Sequence, residues 1–187
     1  QGHEVYAYNR KGHHVSGKEN DVKAVKEYKG IHIITVPTFE KKSLNAFVYS
    51  VLATIHALFQ HYDVIHYHAS GSCAMLWLPR LFGIHTVATI HGLDSQRSKW
   101  GGFASRYLQF GERMAAKYAD ELIVLSEGNR KYFKDMYGRN APLTPNGVEK
   151  TELKEAKLIL ERYGLKKKSY ILFLARIVPE KGLHYLI

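Results

Sequence analysis

Short runs of β-branched and aromatic residues alternate along this chain with longer stretches in which apolar positions recur every three or four residues. The short runs, Glu4 to Tyr8, Ile31 to Val36, Asp63 to Tyr67, His85 to Ile90, Glu121 to Leu125 and Tyr170 to Ala175, read as strands. Around Ile65, Val87 and Ile123 the apolar character is nearly continuous, as expected where helices cover both faces of a parallel sheet. The clearest helix spans Leu44 to Gln60, with Phe47, Val48, Val51, Leu52, Ile55, Leu58 and Phe59 on an inward face and Ser43 as its cap. A second carries Phe103, Tyr107, Phe110, Met114 and Tyr118 on one stripe, and a third starts at Ser126 and turns Tyr132, Phe133 and Met136 inward. Met75 to Phe82 predicts a shorter helix, bent or started at Pro79 and ended by Gly83. This alternation predicts an α/β fold, a Rossmann-like doubly wound parallel sheet.

The texture changes at Pro142-Leu143-Thr144-Pro145-Asn146-Gly147, where prolines and an Asn-Gly pair read as a linker. Residues 1–145 then form a first domain, and 146–187 the linker and the beginning of a second, with a strand at Tyr170 and a helix from Gly182 or Leu183. A doubly wound domain ordinarily opens on a strand and a glycine-containing turn. Here a strand follows at once, so material is expected to be missing at both ends.

Charge narrows the partners without choosing one. The 27 Lys and Arg against 17 Asp and Glu give +10, which favours anionic ligands, an anionic membrane surface or simple solubility. No nucleic-acid-reading motif accompanies it, and nucleic acid is not an expected partner. No apolar run approaches 18 residues and Gln1-Gly2-His3-Glu4 is no signal peptide, so a cytoplasmic location is expected, with peripheral attachment at the inner face of a membrane. The single cysteine, Cys73, lies among small residues and reads as packing.

Two loops carry candidate chemistry. After the strand at Val87 come His91, Gly92, Leu93 and Asp94, then Arg97, Lys99, Trp100 and Gly101-Gly102, at a strand end where open α/β sheets form their ligand crevice. His91 can hydrogen-bond a sugar hydroxyl or phosphate, Gly92 admits a ligand to the backbone, and Arg97 and Lys99 can neutralise an anion. The competing reading is a polar surface loop with Trp100 tucked against the next helix. The second loop, Arg176 to Gly182, would set Arg176 and Lys181 beside a helix N-terminus, a natural pyrophosphate site, or would be an ordinary βα loop with two solvated charges. His66 and His68 share a strand face but lack nearby carboxylate or thiolate ligands, so they read as polar residues at the crevice rim and no metal is expected.

Phe173-Leu174-Ala175-Arg176-Ile177-Val178-Pro179-Glu180-Lys181-Gly182, followed by Tyr185-Leu186-Ile187, resembles the G-R-x-x-P-E-K-G-x-x-x-L-I signature that opens the donor domain of family-4 glycosyltransferases. Asp63 to His68, Thr89 to Gly92, Ala119 to Ser126 and Pro145 to Val148 resemble further landmarks of that family, in the same order. The resemblance implies a GT-B plan of two Rossmann-like domains facing across a cleft, with retaining transfer from a nucleotide-diphosphate sugar and no metal cofactor. It implies that Arg176, Lys181 and Gly182 bind the donor diphosphate and that His91 touches the donor sugar. Gly92, Asp94, Arg97, Lys99 and Trp100 would serve acceptor or sugar, and Asn146 and Gly147 the interdomain hinge. Ala175 departs from the family's glycine, and the Glu-x7-Glu segment expected downstream is absent.

Without that segment, turnover by this chain alone is expected to be very weak. A saccharide or lipid-linked acceptor, in cell-surface polysaccharide or glycolipid synthesis, is the leading expectation, drawn from the basic charge and from Phe39, Trp77 and Trp100 as exposed aromatics. A non-catalytic sugar- or phosphate-binding module and a nucleotide-sugar 2-epimerase are the alternatives.

Overall fold

The computed structural model describes residues 2–12, 25–38, 42–93, 102–152, 155, 157–166 and 168–187. The chain divides into two units, Gln1–Asn146 and Gly147–Ile187. In the first, strands β1 (Val5–Arg10), β2 (Glu27–Tyr28) and β3 (Ile31–Val36) are followed by helix α1 (Lys42–Leu58) and β4 (Val64–His68). Helices α2 (Ala69–Cys73) and α3 (Trp77–Leu81), β5 (His85–Ile90), α4 (Gly102–Tyr118), β6 (Glu121–Val124) and α5 (Glu127–Tyr137) complete it.

The strands fall into two sheets rather than the single sheet expected. β1 and β3 pair in parallel with β2 antiparallel on the outer edge, and β4, β5 and β6 form an all-parallel sheet in that order. Among the described residues no backbone pairing joins β1 to β4, and side chains of α1 reach β1 instead. The Tyr49 hydroxyl donates to the Tyr8 carbonyl at 2.8 Å, taking up an acceptor on the edge of β1, and the Tyr8 hydroxyl meets His56 Nδ1 at 2.8 Å. Burial, then Tyr62, raises the Tyr8 phenol above its ordinary value.

The core lies against the β4-β5-β6 sheet. Tyr67, Ala88, Ile90, Leu122 and Val124 meet Cys73 and Leu76 of the α2–α3 segment, Ala115 of α4 and Phe133 of α5. Each large apolar side chain fully buried here stabilises the fold by roughly 1.5–3 kcal/mol. Cys73 is packing, as expected, and burial pushes its thiol up to about 12, which keeps it unreactive.

Two helices use different faces from those the large apolar residues suggest. On α4 the buried positions are Leu108, Gly111, Glu112, Met114, Ala115 and Ala116; of the expected stripe Met114 is buried and Tyr118 packs against the core, while Phe103 and Phe110 are exposed. On α1 they are Ser50, Thr54 and Ala57, with Phe47, Leu52 and Ile55 exposed and Phe59 exposed just past its end. Small residues take much of both faces, and at Gly111 the helix backbone approaches its neighbour closely. α1 begins at Lys42, one residue ahead of Ser43. In α5 Phe133 is buried as expected but Met136 is 62% exposed. Pro79 lies inside α3, and Gly83, at φ 73°, ends that segment as expected.

The second unit holds helix α6 (Leu158–Tyr163), closed by Gly164 at φ 62°, and two 3-10 turns at Pro179–Lys181 and Leu183–Tyr185. Neither the strand expected at Tyr170 to Ala175 nor the helix expected from Gly182 forms. No strand partners the run among the described residues, and Ile171, Leu172 and Leu174 lie exposed, so its extended backbone has nothing to pair with.

Candidate functional site

The carboxyl ends of β4 and β5 gather the chemistry of the first unit. Parallel pairing sets His66 opposite Val87 and His68 opposite Thr89. Because side chains alternate along a strand, His66 and His68 share one face of β4. Thr89, in register with His68, points to that same face of β5, and His91 follows two residues on. The His66 Nε2 lies 2.8 Å from the Thr89 hydroxyl, and the His66 and His68 rings are in tilted contact with centroids 4.2 Å apart. His68 Nδ1 lies 3.1 Å from His91 Nε2, with ring centroids 5.3 Å apart.

Partial burial, then the neighbouring imidazoles His68 and His91, holds His66 below its ordinary value; partial burial, then His91, does the same for His68. Both are therefore neutral near pH 7, able to donate through one ring nitrogen and accept through the other. Among the described residues no group of three or more His, Cys, Asp or Glu has a geometry able to hold a metal ion.

The corner that carries His68 is tightly built. Ala69, the next residue, sits at φ 69°, a left-handed conformation that costs a non-glycine residue of order 1–3 kcal/mol and turns β4 sharply into α2. The Ser72 hydroxyl donates to the His68 carbonyl, and the Tyr107 hydroxyl donates to the Gly71 carbonyl at 2.8 Å. At Gly111 of α4 a Cβ would lie 1.8 Å from the Ser70 carbonyl oxygen, so only glycine lets the two backbones meet there.

A cavity of about 350 Å³ reaches this corner, lined by Tyr8, Tyr49, Thr54, Tyr67, His68 and Ser72 among others. At the opposite ends of the strands, Asp120 ties β5 to β6. Its carboxylate accepts from the Thr86 amide at 2.9 Å and the Thr86 hydroxyl at 3.1 Å, and pairs with Arg80 at 3.2 Å. Burial alone would raise this carboxyl, but those hydrogen bonds, with Arg80 and His85, hold it below the usual carboxylate range.

Of the residues singled out from sequence, His91 is exposed at the end of β5 and Gly92 follows it, half-buried. Asp94, Arg97, Lys99 and Trp100 lie outside the described residues. In the second unit Arg176 and Lys181 are exposed and, among the described residues, make no ion pair. Arg176 precedes the 3-10 turn Pro179–Lys181 and Lys181 is its last residue, in place of the helix N-terminus expected. Gly182 closes the first turn at φ 72°, its amide donating to the Pro179 carbonyl at 3.0 Å. Asn146 and Gly147 are exposed and stand either side of the division between the units. The joining of His91 to His66 and His68 was not foreseen. Its signal is the pair of alternations His66-x-His68 and Thr89-x-His91, which become one cluster only when the strand register is known.

A parallel α/β sheet with a histidine cluster at its carboxyl ends has the layout of a ligand-binding Rossmann-like domain. The glycosyltransferase family 4 profile matches residues 1–152, and the chain belongs to that family. It is also 30% identical over 130 residues to the uncharacterized glycosyltransferase YqgM of Bacillus subtilis (strain 168), an overlap that covers 68% of this chain and 35% of that protein. The chain thus spans about a third of the length of this relative.

Proposed function

We propose that this chain serves in a retaining, GT-B type glycosyltransferase that moves a hexosyl-type sugar from a nucleotide-diphosphate sugar to a saccharide or lipid-linked acceptor. The observation that carries the reading is the placement of His91, on a family-4 chain, at the carboxyl end of β5 in hydrogen-bond reach of His68. In this reading His91 meets the transferred sugar, and Gly92 allows that sugar near the backbone. Arg176, Lys181 and Gly182 take the donor diphosphate, where two cations offset the charge that builds on the departing nucleotide without a metal. Asp94, Arg97, Lys99 and Trp100 serve the sugar or acceptor, and Asn146 and Gly147 the hinge.

Cell-surface polysaccharide or glycolipid synthesis at the inner face of the membrane suits the +10 charge. Of the aromatics expected to be exposed, Trp77 is half-buried, and Phe39 and Trp100 lie outside the described residues. Leu81 and Phe82, beside Arg80, supply exposed apolar surface instead. No described helix is long and apolar enough to cross a membrane.

The test is a thermal-shift panel of nucleotide-diphosphate sugars, run with and without EDTA. A rise of melting temperature with at least one donor, unaffected by EDTA and lost in His91→Ala, supports the reading. No shift with any donor, or a shift that needs a divalent cation, overturns it.

A further inference from the structure

We infer that His68 is a positioning residue for His91: the contact between His68 Nδ1 and His91 Nε2, 3.1 Å, decides which nitrogen of His91 carries its proton and in what orientation the ring meets a ligand. This rests on the reading of His91 as a sugar-contacting residue. A neutral imidazole offers one N–H and one lone pair. With its Nε2 engaged by His68, His91 has only Nδ1 left for a ligand, and the tautomer is dictated by the partner. If His68 donates, His91 presents a donor; if His68 accepts, His91 presents an acceptor.

His68 can hold this role because its own position is over-determined. Its carbonyl accepts from Ser72, its successor Ala69 sits at φ 69°, and its ring lies in tilted contact with that of His66, which is itself bonded to Thr89 at 2.8 Å. The Gly111 approach to Ser70 and the Tyr107 bond to Gly71 fix the same corner from α4. By contrast His91 lies just past the end of β5 and makes no other hydrogen bond among the described residues. The rigid histidine orients the loose one.

Imidazole 15N chemical shifts, read from long-range 1H–15N spectra of this chain, test the inference without requiring any turnover. In the unsubstituted protein His91 is expected to show one tautomer. In His68→Phe, which keeps the ring contact but removes the nitrogen, the two tautomers should average. His68→Asn places a polar atom where Nδ1 stood and should restore a single tautomer; His68→Gln, whose polar atoms lie one bond further out, should not. Affinity for a nucleotide-diphosphate sugar should follow the same order, about tenfold weaker in His68→Phe and His68→Gln, as expected for one lost hydrogen bond. Loss of His68 should weaken binding no further once His91→Ala is present.

Unchanged His91 shifts in His68→Phe, or rescue by Gln as good as by Asn, would overturn the inference. If His68→Phe does not fold, judged by circular dichroism, the Asn and Gln variants carry the comparison. A protein that shows the tautomer pattern but binds no nucleotide-diphosphate sugar refutes the proposed function and leaves the positioning role standing.

Discussion

At Gly111 the packing of the first unit turns on a single absent methyl group. A side chain there would press into the Ser70 carbonyl at 1.8 Å, and neither backbone can yield without moving the corner that carries His68. Gly111→Ala is expected to lower stability by about 1–3 kcal/mol, as overpacking does, measured by urea denaturation. Asp120 acts in the opposite sense, as a bond rather than a space. Asp120→Ala removes hydrogen bonds to a charged group and should cost about 1.5–3 kcal/mol at pH 7. Because the Asp120 carboxyl is held low in the fold, its contribution is present above the usual carboxylate range and is lost as pH falls through its depressed value. The histidines act earlier in an acid titration. His66 and His68 resist protonation in the fold, so below their ordinary value of about 6.5 the unfolded chain takes up protons first and stability falls. The denaturation midpoint should therefore drop between pH 7 and pH 5, and drop less in a His66→Gln/His68→Asn variant; an equal drop in both would remove these residues from the account. The sequence identified His91 and the shared face of His66 and His68, but it could not show that the two groups touch. That contact depends on strand register, which no local pattern encodes.

Among the elements, the parallel strands β4, β5 and β6 were the most legible, within one residue at each end, because continuous apolar runs bounded by polar turns leave few alternatives. Helix α5 was equally plain: Ser126 caps it, accepting from the Asn129 amide at 3.2 Å, and Gly138 closes it at φ 65°. Ser126→Ala is expected to cost about 1 kcal/mol in thermal or urea unfolding, with Ser126→Asp close to neutral. The inward faces of α1 and α4 were legible only in part, for a common reason. Large apolar residues dominate a hydrophobic pattern, yet the buried positions include Ser50, Thr54, Ala57, Gly111 and Ala115, which a hydropathy stripe undervalues. The run Tyr170 to Ala175 failed differently. It has the composition of a strand, but strand formation requires neighbouring backbone, and none pairs with it among the described residues. The division between the two sheets was likewise invisible, since strand pairing is set by contacts distant in sequence, such as the Tyr49 hydroxyl reaching the Tyr8 carbonyl across 41 positions.

Across the whole molecule, family membership was readable from ordered short motifs. Two of these have structural work as well as any functional one: in the run Ala119 to Ser126, Asp120 pins β5 to β6 and Ser126 caps α5. Motif matching reports that such residues recur, whereas the hydrogen bonds say what they do. At the same scale, the +10 charge and the exposed Leu81 and Phe82 lead to a membrane prediction. The protein should float with vesicles rich in anionic lipid and not with neutral ones, and Leu81→Ser/Phe82→Ser should weaken that association; equal behaviour toward both vesicle types contradicts peripheral attachment. The most direct test of the proposed division of labour is a calorimetric titration of the protein with one nucleotide-diphosphate sugar and with the corresponding nucleoside diphosphate. His91→Ala should weaken the first about tenfold and leave the second unchanged, whereas Lys181→Ala should weaken both, consistent with one hydrogen bond to the sugar and one charge on the diphosphate. Equal affinities in His91→Ala and the unsubstituted protein would contradict the assignment of the β5 crevice to the transferred sugar.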